Sequence, residues 1–253
     1  MQRDWRSEAW RAEHPLKASE KFNGTLRKFF YPLRKLIGRF ALSESVKYID
    51  IAARWISWQN IEGDYCEFGV YTGRQFVHAY QAITRNSQNS RFFAFDSFEG
   101  LPQPEGVDLI YPQFSKGGLA ATQQEFINNL KKHKVSLSNV EIVQGWYADV
   151  LSDALPPKIG LSKVAIALID CDLYASTILA LDFLTDLLVD GAIIIFDDWF
   201  LFRGHPDLGP QKAFREWQSR VPDFRFSLLP SISNSLQQAF IVHKPLIESS
   251  ESS

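Results

Sequence analysis

Cysteine is scarce: Cys66 and Cys171 are the only two in 253 residues, and both stand inside apolar runs. Two thiols so placed make no disulfide framework, and a reducing, cytoplasmic setting is expected. No stretch of eighteen apolar residues occurs and no secretory leader is legible, so a protein without an integral membrane segment is expected. Charge of one sign is missing too. Lys and Arg number 27 against 29 Asp and Glu, which argues against nucleic acid as a partner, because such binding rests on phosphate neutralisation. No internal repeat is visible. Histidine and cysteine nowhere cluster, and that makes a zinc centre improbable.

What is present is uneven. Residues 1–60 hold twelve Lys and Arg against six acids and are mostly helix-like. After Pro32, the residues Leu33, Leu36, Ile37 and Phe40 recur at helical spacing, while Arg34, Lys35 and Arg39 fall on the other side, so an amphipathic surface helix is expected. From Asp64 the pattern becomes short, continuous apolar runs alternating with amphipathic stretches. Strands are predicted at Asp64–Val70, Arg91–Asp96, Val140–Gln144, Lys163–Asp170 and Gly191–Asp197, with helices over about 73–85, 119–133, 174–190 and 209–221. Strands apolar on both faces belong to a parallel sheet covered by helices on each side. Two further runs, "DFRFSLLP" and "QQAFIVHK", follow one another with only a turn-rich link and predict an antiparallel hairpin. This order of elements resembles the seven-stranded, mostly parallel, Rossmann-like sheet of class I S-adenosylmethionine methyltransferases, 3-2-1-4-5-7-6. The resemblance implies residues 1–60 as a helical cap on the same domain, 61–246 as the methyltransferase domain and 247–253 as a disordered tail.

The chemistry is carried by strand ends. The first ends "CEFGVYTGRQF", where Gly69 and Gly73 bracket a tight strand-to-helix turn. This is not GxGxxG: Val70, Tyr71 and Thr72 fill the loop and an acid, Glu67, precedes it, which favours a cationic or hydroxyl-rich ligand over a diphosphate. The second ends "FAFDSFEGLP", putting Asp96 where an acid in such sheets accepts from ribose hydroxyls. The third runs into "QGWYADVL", whose Gly145, Trp146 and Tyr147 can flank a purine ring.

The fourth and fifth strands end "ALIDCDLYAST" and "GAIIIFDDW". In the inferred sheet they are neighbours, so Asp170, Asp172, Asp197 and Asp198 gather at one carboxyl edge. Carboxylates so crowded repel one another, and a hard divalent cation with oxygen ligands, Mg²⁺ above all, resolves the conflict. The structural alternative is that Asp172 caps the helix starting near Tyr174 and that Asp197-Asp198 form a turn.

Taken in order, "EFGVYTG", "FDSFEGLP", "KGGLA", "VQGWYADVL", "IDCDLYAST" and "FDDW" resemble the macrocin O-methyltransferases over roughly residues 60–220. The resemblance implies Mg²⁺-dependent transfer of a methyl group from S-adenosylmethionine to a hydroxyl of a sugar or glycosylated small molecule, in a cytoplasmic homo-oligomer. It makes Asp170, Asp197 and Asp198 the metal ligands and Asp172 the general base. It places Glu67, Gly69, Tyr71, Gly73, Asp96, Ser97, Gly145 and Trp146 around the cofactor. Residues 1–60 match no motif of the family. Among rivals, an NAD-dependent oxidoreductase leaves four clustered aspartates without use, and a phosphohydrolase built on Asp170 and Asp172 leaves the glycine turn and Asp96 idle. A catalytically silent cofactor-binding module is the remaining alternative.

Overall fold

The computed structural model describes residues 44–86, 90–110, 114–229 and 236–245, all within one compact unit, Glu44–Ser253. The helix expected after Pro32 and the terminal tail lie outside the described residues.

The chain runs α1 (Glu44–Trp58), β1 (Asp64–Phe68), α2 (Arg74–Asn86), β2 (Phe92–Asp96), α3 (Gln123–Lys132), β3 (Val140–Gln144), α4 (Tyr147–Val150), α5 (Leu155–Ile159), β4 (Val164–Ile169), α6 (Tyr174–Leu184), β5 (Leu188–Phe196), α7 (Gly209–Arg220), β6 (Arg225–Leu229) and β7 (Gln238–His243). The seven strands form one sheet in the order β3-β2-β1-β4-β5-β7-β6. The first five are parallel, and β7 pairs antiparallel with both β5 and β6. This is the order expected from the sequence.

Every residue of β4 is buried, as the continuous apolar run "VAIALI" requires of a central strand with helices on both faces. One face packs Tyr48, Ile49 and Ile56 of α1, Phe76 of α2 and Phe126 of α3; the other packs Leu181 of α6 and Trp217 of α7. On the first face Tyr65, Phe92 and Phe126 all pack obliquely or edge-on against neighbouring rings centred on Phe76. Fully burying each such ring contributes roughly 1.5–3 kcal/mol. The core therefore takes in residues 44–58, which pattern alone groups with the cap; the Trp55 indole also donates to the Gly191 carbonyl at 2.9 Å.

Several boundaries differ from expectation: β1 ends at Phe68 rather than Val70, and α3 begins at Gln123, after the Thr122 cap, rather than near 119. The helix predicted to run to residue 190 ends at Leu184, and β5 begins at Leu188 rather than Gly191. The register between β4 and β5 explains this: Val164 pairs with Leu188 but Ile166 with Ile193, so the strand absorbs extra residues in a bulge, a tertiary accommodation that an apolar run does not signal.

At the carboxyl edge the ladder continues one residue beyond the strands. Gly69 N–H donates to Phe95 O, Asp170 N–H to Phe68 O and Asp197 N–H to Ile169 O, at 2.9–3.0 Å. Gly69, Asp170 and Asp197 thus stand level with one another, and the strand ends define one rim.

Candidate active site

A cavity of about 480 Å³ opens at this rim, within the usual range of small-molecule sites. Its walls include Gly69, Tyr71, Asp96, Ser97, Gly145 and Trp146 together with Asp170, Asp172, Asp197 and Asp198. The structure thus gathers ten of the twelve residues that the resemblance assigned to the site, and Tyr147 with them.

Glu67 and Gly73 stand behind that wall. Glu67 is 1% exposed, and the Tyr65 hydroxyl donates to its carboxyl group. Burial pushes its pKa well above the usual carboxylate range, the Tyr65 hydrogen bond opposes that, and the nearby Asp197 and Asp96 add to it. Gly73, at φ +79°, is required by packing: a Cβ there would lie 2.6 Å from the Phe126 ring. Gly69 has a double reason, with φ +89° and a would-be Cβ only 1.8 Å from the Asp170 carbonyl oxygen, so that β1 and β4 can close on each other only with glycine at that corner.

Asp96 braces the turn. Val70 and Tyr71 N–H donate to its Oδ2 at 2.9 Å each, and Phe98 N–H to Oδ1 at 2.7 Å. These bonds hold Tyr71 at φ +47° with its ring half exposed beside the cavity. Burial outweighs them and raises the Asp96 pKa. Ser97 makes a local turn, donating to Gly100 O and accepting from Glu99 N–H. Both aromatics after β3 line the cavity, and Tyr147 is the one held in place by its own contacts. The Tyr147 hydroxyl donates to Phe95 O at 3.2 Å and its ring packs edge-on against Phe68.

The acids form the floor. Ligand oxygens of Asp170, Asp197 and Asp198 lie within 4.8 Å of one another, the one such group among the described residues. Burial raises the Asp170 pKa well above its ordinary value, and Asp197, Asp198, Asp172 and Glu67 add to the rise. Asp198 is raised likewise by burial and then by Asp172 and Asp197, and its Oδ2 is buried without a hydrogen-bond partner. Asp172 is pushed up to about 6, chiefly by burial and then by Asp197. An oxygen-only donor set, mutual repulsion and a buried acceptor left without a donor together fit a hard divalent cation.

Asp172 does not cap α6. That role falls to Asp108, 1% exposed, whose Oδ1 accepts from Tyr174 N–H at 2.8 Å and Oδ2 from Ala175 N–H at 3.2 Å. The sequence reading missed Asp108, because a cap reaching across 66 residues leaves no local signature. Asp172, relieved of capping, sits at φ +58° and faces the cavity. Replacing Asp108 by Ala is expected to cost about 1–2 kcal/mol, since two helix N-terminal N–H groups lose an ionised acceptor. Urea unfolding measures it, and a loss under about 0.3 kcal/mol would refute the capping role.

Other lining residues, among them Leu101, Pro102 and Leu119 from the segment after β2 and Leu179 from α6, carried no recognisable signal beyond their place in "EGLP" and "KGGLA". Two glutamines, also unforeseen, touch the acids: Gln75 Nε2 donates to Asp170 Oδ2 at 2.6 Å, and Gln237 Nε2 donates to Asp197 Oδ1.

Comparison with known proteins bears on these features. The sequence is 28% identical over 145 residues to the 8-demethyl-8-(2,3-dimethoxy-alpha-L-rhamnosyl)-tetracenomycin-C 4'-O-methyltransferase of Streptomyces olivaceus, covering 55% of this chain and 54% of that protein. It is 25% identical over 148 residues to the demethyldecarbamoylnovobiocin O-methyltransferase of Streptomyces niveus, covering 56% and 55%. The chain thus matches about half the length of these curated relatives. In fold it resembles the O-methyltransferase NovP, with a TM-score of 0.67, 20% identity and 80% of each chain covered. It also resembles CalS11, a calicheamicin methyltransferase, with a TM-score of 0.61, 22% identity and coverage of 78% and 77%. The match to the macrocin-O-methyltransferase (TylF) family extends over residues 34–218, more than half of the chain and all of the acidic floor. With that extent, and with the seven-stranded order and the rim of strand-end residues already described, the chain belongs to the macrocin-O-methyltransferase family.

Proposed function

We propose that this protein is a Mg²⁺-dependent O-methyltransferase that uses S-adenosylmethionine to methylate a hydroxyl of a sugar or glycosylated small molecule. The observation that carries the reading is the clustering of Asp170, Asp197 and Asp198, with the buried, unpartnered Asp198 Oδ2, on the floor of a cavity whose wall is the Gly69–Tyr71 turn. Family membership supports methyl transfer. The rhamnosyl group named in the Streptomyces olivaceus relative supports a sugar acceptor.

In this reading Asp170, Asp197 and Asp198 hold the cation, whose chemistry, when bound, is to lower the pKa of an alcohol and stabilise the developing alkoxide. S-adenosylmethionine, when bound, supplies an electrophilic methyl group. The Gly69–Tyr71 turn, braced by Asp96, gives the cofactor a rigid backbone surface, and Trp146 with Leu101 and Pro102 gives it an apolar one that excludes water. Asp172 stands beside the acids without belonging to the close triad, and its carboxylate takes the acceptor's proton. Rigid placement of these groups is itself a large part of catalysis. A homo-oligomeric, cytoplasmic enzyme is part of the proposal; among the described residues no helix is long and apolar enough to cross a membrane.

Thermal melts with S-adenosylhomocysteine and Mg²⁺ test the binding half. Ligand at a hundred times Kd adds about 2.7 kcal/mol, and the absence of any shift at millimolar cofactor would overturn the reading. Mass spectrometry of methyl transfer to a panel of glycosides tests the acceptor class.

A further inference from the structure

The acids that end β4 and β5 are bracketed by neutral donors. In the sheet order β1-β4-β5-β7, Gln75 reaches Asp170 from the first turn of α2, the helix that follows β1, at 2.6 Å. From the far side, Gln237, immediately before β7 and 5% exposed, donates to Asp197.

The choice of amide is informative. Four carboxyl groups in a buried floor would gain most, electrostatically, from Lys or Arg. An ammonium or guanidinium would neutralise them and compete with any cation. An amide N–H₂ orients a carboxylate and leaves its charge in place. Gln75 Oε1 is also buried without a hydrogen-bond partner. Among the described residues the bond to Asp170 is the one side-chain hydrogen bond of Gln75, so its bearing on the acid is direct. The bond can form because the Gly73 turn, seated under the Phe126 ring, fixes where α2 starts.

We propose that Gln75 is a positioning residue of the cation site. Its side-chain amide aims the Asp170 carboxylate at the ion while preserving the negative charge that attracts it. This rests on the cation reading given above.

The test uses the full chain, free of cofactor, with the metal alone as probe: calorimetric titration with MgCl₂, and electron paramagnetic resonance of added Mn²⁺. In Q75M, which keeps the side-chain length and removes the donor, metal affinity is expected to fall 10–100-fold, with a metal-free melting temperature at or above that of the parent. In Q75K the ammonium should pair with Asp170, raise metal-free stability and abolish the Mn²⁺ signal of bound ion. If Q75M binds both ions within twofold of the parent, Gln75 has no positioning role, although the cation site stands. If the parent protein itself binds neither ion at millimolar concentration, the cation reading falls and this inference with it. Should Q75M fail to fold, Q75K decides alone, and Mn²⁺ bound by Q75K as tightly as by the parent overturns the proposal.

Discussion

Asp172→Asn is expected to remove methyl transfer while leaving S-adenosylhomocysteine and cation binding intact. Three observations lead there. The residue lines the cavity with the acid triad but is not one of its three members. The cap it could have supplied to α6 comes from Asp108 instead, and its carboxyl group bonds to that of Asp198, a contact that an asparagine amide can keep. Its φ of +58° is a conformation that asparagine tolerates nearly as well as aspartate, and the exchange leaves the backbone in place. What disappears is the proton acceptor. Loss of a general base lowers turnover about 10²–10⁴-fold, and single-turnover rates with a competent glycoside measure it. A variant within tenfold of the parent rate would remove Asp172 from the reaction. The pH profile adds a second reading. Burial and Asp197 raise the carboxyl to about 6 in the metal-free protein, a bound cation offsets the share due to Asp197, and a base acts only when ionised, so turnover should fall on the acid side and should lose this limb in the variant.

Without a cation, the stability of the protein should decline as pH rises, which is the reverse of the usual behaviour of paired carboxylates. Asp170, Asp172 and Asp198 all have folded pKa values raised above those of the unfolded chain. Between the unfolded value and the folded one, the native state therefore holds more protons than the unfolded state, and linkage makes stability fall with increasing pH. For Asp172 that interval runs from the ordinary carboxyl value of 3.8 to about 6. A divalent ion inverts the relation because it binds only the ionised floor. With EDTA, the melting temperature should be lower at pH 7.5 than at pH 5.5 by whatever share this cluster contributes. With Mg²⁺ at a hundred times its Kd, the gain at pH 7.5 should be about 2.7 kcal/mol, or about 5–10 °C for a domain of this size, and should shrink toward zero at pH 5. Equal gains at both pH values would contradict a carboxylate-held ion. Asp197→Ala should abolish the Mg²⁺ increment and raise metal-free stability, since it relieves repulsion on Asp170 and Asp198.

The elements that could be read from the chain are those whose cause is local. The run "VAIALI" forms a buried strand wherever it is put between helices. The acids of "IDCD" and "FDDW" fall past strand ends because each apolar run stops there. The meeting of Asp170 and Asp197 follows once β4 and β5 are neighbours, since each stands one residue beyond paired strand ends; that Asp198 rather than Asp172 joins them was implied by the family resemblance alone. Glu67 shows the limit. Its spacing before Gly69 suits a ligand contact, yet it is buried behind the cavity wall with its carboxyl group bonded to the Tyr65 hydroxyl. Tyr147 does line the cavity beside Trp146, yet its hydroxyl is held by Phe95 O and its ring packs on Phe68.

By itself, then, the sequence determined the strand and helix order, the sheet class and the four aspartates at one rim, because period, strand termini and turn glycines are encoded within a few residues. Only the tertiary structure decided which acid caps α6, which amides brace Asp170 and Asp197, and which of the expected residues reach the cavity. Those outcomes depend on contacts across 40 to 95 residues, where a side chain's partner is fixed by how strands and helices pack and leaves no mark on the residues beside it.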